Sequence, residues 1–287
     1  MSERGGAVPL DAIRKRNREF LTGLARAFGG AIFFALPLLM TMEMWSLGFS
    51  MHPARLALFL VLMIPVLIVL DYYAGFRETA SWIEDAVDGV TAYGVGFVAS
   101  AAILLLFNVI DHSMPAGEIV GKVALQAIPA SFGAMLANSQ LGNANQREGP
   151  EERRKRNAGY PAELFFMAAG ATFLAFNVAP TEEMILIAFK LTGWHAVALI
   201  VVSLLLMHAF VYAVDFRGAR SAPEGTPWWS LFLRYTVVGY AISLLISAYV
   251  LWTFGRYHET ALPMFVLTML VLAFPASIGA AAARLIL

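Results

Sequence analysis

Two acidic residues, Glu43 and Glu183, each lie inside a long apolar run of this 287-residue chain. They are 140 positions apart, and each belongs to a Thr-x-Glu-Met motif that begins at Thr41 or Thr181. A charged carboxylate within a bilayer is costly unless it faces water, protein or a partner, so such groups usually have a function. The paired motif therefore indicates a site that coordinates a small cation or a proton.

The second motif has more polar neighbours than the first. Asn177, Pro180 and Glu182 lie beside Thr181 and Glu183. Because proline has no N–H, we hypothesise a helix that breaks at Pro180 and restarts with Thr181 as N-cap and both glutamates in its first turn. The alternative is an ordinary helix end, at which the carboxylates only balance the helix dipole. The predicted ion- or substrate-binding residues are Glu43, Glu183, Glu182, Thr41, Thr181 and Asn177.

Three further ionisable residues are secondary candidates. His208 lies in an apolar run, where a hydrogen-bonded packing role is favoured over a proton relay. Asp71 and Asp215 lie close to Arg77 and Arg217 at the ends of two apolar runs. Interfacial ion pairs are the expectation there, and a gate is the alternative.

The segment Pro-Ala-Ser-x-Gly-Ala occurs twice, from Pro129 and from Pro275. Small residues four apart allow membrane helices to approach closely. We predict a tight crossing, with an interface between the two halves of the chain as one arrangement and a pore-lining kink as the alternative. The predicted packing residues are Pro129, Ser131, Gly133, Pro275, Ser277 and Gly279.

These residues must be positioned by membrane helices. The chain is 59% hydrophobic and 14% charged, with a mean hydropathy of +0.69, which is typical of a polytopic membrane protein. A span needs about 20 apolar residues. The predicted spans are residues 22–47, 55–75, 87–109, 117–141, 161–188, 194–215, 230–254 and 260–285.

Basic residues are unevenly distributed over these eight spans. With the N-terminus in the cytoplasm, the outer side holds four of the 20 Lys and Arg residues: Arg55, Lys122, Lys190 and Arg256. The positive-inside rule then places both termini in the cytoplasm. The predicted organisation is a tail over 1–19, a four-span unit over 20–141, a charged cytoplasmic linker over 142–159 and a second four-span unit over 160–287.

The two units have related sequences. Besides the Thr-x-Glu-Met pair, Phe76-Arg77 recurs as Phe216-Arg217, 140 positions later. Four spans per unit give both copies the same orientation, so they are parallel repeats about an axis along the membrane normal. The predicted fold is an all-α membrane helix bundle of about eight spans, formed by two parallel four-helix repeats.

The sequence favours a non-enzymatic function. It contains no cysteine and none of the zinc-protease, hydrolase, phosphate-loop or dinucleotide motifs, so we predict no catalytic residue, metal site or cofactor. Equal numbers of acidic and basic residues give no argument for nucleic acid. We predict a transporter or channel for a small cation or proton, with the glutamates at the repeat interface; the alternative is a non-catalytic membrane scaffold or partner-binding subunit. The expected partners are the lipid bilayer, the cation or proton and a second copy of the chain.

The Thr-x-Glu-Met and Pro-Ala-Ser-x-Gly-Ala pairs carry a resemblance that covers the whole chain. It resembles a family of bacterial multi-spanning inner-membrane proteins of unknown function. The resemblance implies location in a bacterial cytoplasmic membrane and assigns no activity.

Overall fold

The computed structural model describes residues 10–74, 82–141, 159–213, 228–257 and 261–286. The described parts are helical and contain no β-strand. A π-helical segment, Phe232–Val237, joins the short helix Trp228–Leu231 to the helix Val238–Thr253. The helices are α1 Leu10–Leu39, α2 Met42–Ser50, α3 Pro53–Ala74, α4 Trp82–Leu106, α5 Ala116–Leu141, α6 Tyr160–Val178, α7 Glu182–Lys190, α8 Gly193–Ala213, α9 Trp228–Leu231, α10 Val238–Thr253 and α11 Leu262–Ile286.

Eight helical segments of the described chain are long and apolar enough to cross a membrane. They lie in α1, α3, α4, α5, α6, α8, the continuous α9–α10 helix and α11. The predicted all-α membrane bundle with eight spans is therefore confirmed, and its helices contact the lipid bilayer. The linker prediction over 142–159 falls almost entirely outside the described residues.

The first and fifth spans are shorter than predicted. The apolar run over 22–47 is divided between α1, which ends at Leu39, and the nine-residue α2. The run over 161–188 is divided between α6 and the nine-residue α7. Thr41 and Thr181, which precede α2 and α7, both have an extended backbone, so neither run can be one continuous helix. The interruption hypothesised at Pro180 is present, whereas the break in the first run was not predicted.

Each half is held together by a glycine-mediated crossing. A methyl group on Gly30 of α1 would lie 2.6 Å from the carbonyl oxygen of Gly133 on α5. In the second half, a methyl group on Gly170 of α6 would overlap the carbonyl group of Gly279 on α11. The predicted tight packing at Gly133 and Gly279 is therefore found, but each crossing joins two helices of one half. The suggested arrangement with this interface between the halves is wrong, because α1 and α6 supply the facing glycines.

Aromatic rings dominate the described contacts between the two halves. The ring of Phe59 on α3 lies 5.3 Å from that of Phe176 on α6, between centroids. Phe34 and Phe132 each lie 5.9 Å from Phe173. We call this set the aromatic seam: Phe34, Phe59, Tyr73 and Phe132 from the first half, and Phe166, Phe173, Phe176 and Tyr249 from the second. The two halves therefore pack against each other through apolar aromatic surface.

The spans differ in how far they are enclosed by protein. In α5, 78% of the residues in the membrane-spanning window are buried, whereas in α8 the share is 17%. Helix α5 packs against all four preceding helices, α1, α2, α3 and α4. It is therefore the central helix of the first half, and α8 lies at the periphery with an apolar surface towards lipid.

Candidate site at the two helix breaks

The first break leaves the last three carbonyl groups of α1 without their usual helical donors, whereas Leu36 O keeps its own, Met40 N. Each of the last four carbonyls has a donor nearby. The donors are Met40 N to Leu36 O at 3.1 Å, Thr41 Oγ1 to Pro37 O at 2.6 Å, Thr41 N and Gln126 Nε2 to Leu38 O at 3.0 Å each, and Trp45 Nε1 to Leu39 O at 2.8 Å. The break is thus stabilised by side chains from α2 and α5.

Gln126 is the polar residue that reaches this break from another span. Its side chain is completely buried, and its amide nitrogen donates to the carbonyl oxygen of Leu38. It continues a polar row on α5 that includes Glu118 and Lys122, since residues four apart lie on one helix face. The residues of this row were not among the predicted site residues. Three polar residues spaced four apart in an apolar span were the available signal.

Lys122 lies in the middle of the row and is almost fully buried. Its Nζ atom is 2.6 Å from Oε1 of Glu118, donates to the carbonyl oxygen of Val109 at 3.3 Å and lies 5.7 Å from the ring centroid of Phe49. A buried ammonium group requires such a partner. The lysine and the glutamate are therefore a neutral pair at the start of α5.

The second break is organised differently. Thr181 occupies the N-cap position of α7, but its hydroxyl donates back to the carbonyl oxygen of Val178 at 2.9 Å. The predicted side-chain cap on α7 is therefore wrong. Asn177 also uses its side chain inside α6, where its Nδ2 donates to the carbonyl oxygen of Phe173 at 2.7 Å. Glu182 and Glu183 do lie in the first turn of α7, as predicted.

Arg256 brings a positive charge to the second break. Its Nη1 donates to Oε1 of Glu182 at 2.7 Å, and its Nη2 donates to the carbonyl oxygen of Pro180. Arg256 follows Gly255, whose φ of 73° is readily accessible only to glycine and allows the chain to turn at the end of α10. From the sequence, Arg256 is predicted only to lie on the outer side. Its contact with α7 depends on tertiary packing, for which the sequence carries no signal.

Arg55 joins the two halves close to this arginine. It lies at the start of α3, where Nη2 donates to the hydroxyl oxygen of Tyr257 at 3.0 Å and Nη1 to the carbonyl oxygen of Trp252 at 3.4 Å. Its guanidinium carbon is 5.3 Å from the ring centroids of both aromatic residues. These cation–π contacts tie the first half to the α10–α11 connection.

The two glutamates that define the motif occupy equivalent places. Glu43 and Glu183 lie in the first turns of α2 and α7, where Glu43 is half-buried and Glu183 is exposed. The described contacts between the halves involve the aromatic seam and Arg55, and include neither glutamate. In the structure, Glu182 thus pairs with the guanidinium group of Arg256. The pairing of Glu43 with Glu183 stays a prediction.

The secondary candidates are dispersed. Nδ1 of His208 is 3.2 Å from Oγ1 of Thr236 in the π-helical segment, which is the hydrogen-bonded packing role that was favoured. Asp71 is buried near the end of α3, and Asp215 lies outside the described residues. Asp85 and Asp88, which were not among the predicted site residues, are buried near the start of α4. Asp85 lies in the first turn, where the helix dipole favours negative charge.

The proline-containing segments do not break their helices. Helix α5 continues through Pro129 and α11 through Pro275. Ser131 donates to the carbonyl oxygen of Ala127 at 2.6 Å, and Ser277 to that of Phe274 at 2.8 Å. Both serine hydroxyls therefore bond the backbone of their own helix, close to the proline.

Comparison with known proteins places both breaks inside one family domain. Residues 23–287 match the model of a family described as "Putative integral membrane protein (DUF2391)". No curated protein and no solved structure matches the chain.

Proposed function

Since this chain belongs to the DUF2391 family of integral membrane proteins, as the resemblance predicted, we propose that it moves a small cation or proton across the membrane. The observation that carries the proposal is the pair of helix breaks, α1–α2 and α6–α7. Interrupted membrane helices at corresponding places in two halves are the usual location of ion and substrate sites in transporters. Such breaks place carbonyl groups and helix ends inside the membrane, where their oxygen atoms can take the place of the water molecules around a cation.

We infer that the two breaks are copies of one element. Helices α2 and α7 each have nine residues and begin 140 positions apart, at Met42 and Glu182. The helices α4 and α10 are each followed by a residue with positive φ, Asn108 at 56° and Gly255 at 73°. The same element order and the same turns support two parallel repeats related by an axis along the membrane normal.

The proposed coordinating groups surround the two breaks. Glu43 and Glu183 stand in the first turns after the breaks, and Glu182 is paired with Arg256. The exposed position of Glu183 makes it accessible to a hydrated cation. Thr41, Thr181 and Asn177 contribute by stabilising the broken backbone through their bonds to carbonyl oxygens.

The rival function is a non-catalytic scaffold or partner-binding subunit. Such a function would require a helix face of small residues that is free to dock a partner helix. Gly133 and Gly279 now lie in crossings inside each half, so these faces are occupied. Transport is the function with the stronger structural argument, and assembly as a homo-oligomer stays a prediction.

We further propose that the protein acts without catalysis in a bacterial cytoplasmic membrane, with both termini in the cytoplasm. Under this topology, Arg55 and Arg256 lie on the outer side, where Arg256 contacts the second break. The breaks then belong to the outer half of the bilayer.

The test is ion flux in proteoliposomes. We expect cation- or proton-driven flux by the parent, and at least a tenfold loss in Glu183→Gln, because removal of the charge weakens the site. Lys190→Gln, on the same short helix, is the matched control and should retain flux. Absence of flux for every cation tested and for protons would reject the proposal, as would unchanged flux in both Glu43→Gln and Glu183→Gln.

A further inference from the structure

The side-chain amide of Gln126 lies well inside the membrane. The residue is ten positions beyond Ala116, where α5 begins, so about 15 Å of helix separate the two. It is completely buried, and its Nε2 contacts the carbonyl oxygen of Leu38. Because a carbonyl oxygen only accepts hydrogen bonds, this contact fixes which side of the amide is the nitrogen.

The other side of that amide is an oxygen with no partner. Oε1 of Gln126 is buried and has no hydrogen-bond donor within the described parts of the chain. Buried acceptors in proteins nearly always have a donor or another positive group nearby. An acceptor in this state is suited to a ligand that carries positive charge.

The surroundings of the amide add further oxygen atoms. The carbonyl groups of Pro37, Leu38 and Leu39 end α1, and each carbonyl oxygen has two lone pairs. Leu38 O uses both, because it accepts from Thr41 N and from Gln126 Nε2, whereas Pro37 O and Leu39 O each accept one described hydrogen bond and keep a second lone pair. The C-terminal end of a helix also carries a partial negative charge. The first break is therefore rich in uncharged oxygen atoms.

The nearest charged groups on α5 do not oppose a cation. Lys122 lies one turn from Gln126, but its Nζ contacts Glu118 at 2.6 Å and the carbonyl oxygen of Val109 at 3.3 Å. Glu118 is one turn further towards the start of α5, so the ammonium group is directed away from Gln126. The two charges neutralise each other.

We propose that the first break binds a monovalent alkali cation, with Oε1 of Gln126 and the carbonyl oxygen of Leu39 as ligands. The cation's role as the transported or coupling ion rests on the proposed function. Uncharged oxygen ligands suit a monovalent ion, whereas Ca²⁺ and Mg²⁺ are usually bound with one or more carboxylates. Imidazole or thiolate ligands, which transition metals prefer, do not occur among these groups.

The second half offers a natural counterpart that lacks the amide. The Pro-Ala-Ser-x-Gly-Ala segments are 146 positions apart, and at this offset Gln126 corresponds to Leu272, which is also completely buried. Gln126→Leu therefore places at the first break the residue that the second half already accommodates. It removes the oxygen with little change in volume.

The experiment measures the thermal unfolding midpoint of the full chain in detergent, in LiCl, NaCl, KCl or choline chloride at equal ionic strength. We expect one alkali cation, at a concentration of about 100 times its Kd, to raise Tm by a few degrees. The rise should follow a saturable binding curve. Gln126→Leu should abolish this rise, and Gln126→Glu should tighten binding by about tenfold or more, because it adds a negative charge. Ser131→Ala, a buried change on the same helix, should keep the rise.

Two results would overturn the site: no alkali-specific rise in the parent, or a rise that persists in Gln126→Leu. If Gln126→Leu does not fold, unchanged affinity in Gln126→Glu overturns it instead. Flux separates this inference from the proposed function. Alkali transport that is equal in the parent and Gln126→Leu rejects the site and supports the function, whereas Gln126-dependent binding without any flux supports the site and rejects the function.

Discussion

Nη1 of Arg256 lies 2.7 Å from Oε1 of Glu182, and the same guanidinium group donates to the carbonyl oxygen of Pro180. One side chain from the α10–α11 connection thus contacts both sides of the second helix break. The arginine side chain is 17% exposed and the glutamate side chain 59%, so solvent screens the ion pair more than it screens the bond to the carbonyl.

We predict that Arg256→Ala lowers the free energy of unfolding by about 1–2 kcal/mol, chiefly through loss of the carbonyl contact. Arg256→Lys should fall between the parent and the alanine variant, since the single ammonium nitrogen cannot occupy the positions of both Nη1 and Nη2. Chemical unfolding in detergent measures both. Lys190→Ala, an exposed change on α7, is the control and should stay within about 0.5 kcal/mol of the parent. An equally small effect of Arg256→Ala would show that the contacts of Arg256 with Glu182 and Pro180 do not stabilise the break.

The glycine crossing provides a second prediction. Gly30→Ala should destabilise the protein by about 1–3 kcal/mol, because the new methyl group would meet the carbonyl of Gly133 and force α1 and α5 apart. Gly29→Ala is a matched control, since a methyl group at Gly29 meets nothing within 4 Å. Fluorescence-detected size-exclusion chromatography after heating measures the thermal midpoint of both variants. Equal midpoints for the two alanine variants would contradict the close approach of α1 and α5.

Membrane topology is tested by single cysteines, which the chain lacks. We place them at Ser2, Asn145 and His258. With both termini and the linker in the cytoplasm, only the cysteine at position 258 should react with an impermeant thiol reagent in intact cells. Labelling at position 145 would contradict the four-plus-four arrangement, and labelling after permeabilisation confirms that all three sites are reactive.

Asp111 gives a prediction on pH, in the connection between α4 and α5. The Ser113 hydroxyl and then the Ser113 backbone N–H, at 2.6 Å, donate to Oδ1 of Asp111 and lower the pKa of this carboxyl. A pKa that is lower in the folded state stabilises the protein above the unfolded pKa, and this contribution disappears as pH falls through the folded pKa. Ser113→Ala should raise the pKa of Asp111 towards its ordinary value, which NMR titration of labelled aspartate measures. An unchanged titration would show that the hydroxyl is not the cause.

The sequence predicted the parts of this fold that depend on local composition. Eight apolar runs, the helix break at Pro180 and the close approach at Gly133 follow from residue type alone, and all are present. The first break did not follow from composition, because Pro37 lies inside α1 and no proline stands at Met40 or Thr41. Its position depends on donors from other helices, of which Gln126 is the clearest.

The candidate site could be predicted only in part from the sequence, for the same reason. The motif glutamates were found because carboxylates are rare in apolar runs. The contacts of Arg256 with Glu182 and Pro180 join residues more than 70 positions apart, and the aromatic seam consists of residue types that are common throughout the chain. Such contacts arise from packing, which a single sequence does not display.

The central position of α5 has a consequence for how the protein is made. This helix carries Lys122 and Gln126 within its span, and every partner helix in its own half, α1 to α4, precedes it in the chain. The ribosome therefore delivers the acceptor at Leu38 before Gln126 emerges. In the second half, α11 likewise packs on the earlier helices α6, α7, α8 and α10. Each half is completed by its last-synthesised span, so a nascent chain that stops before α5 leaves the end of α1 without the amide that stabilises it.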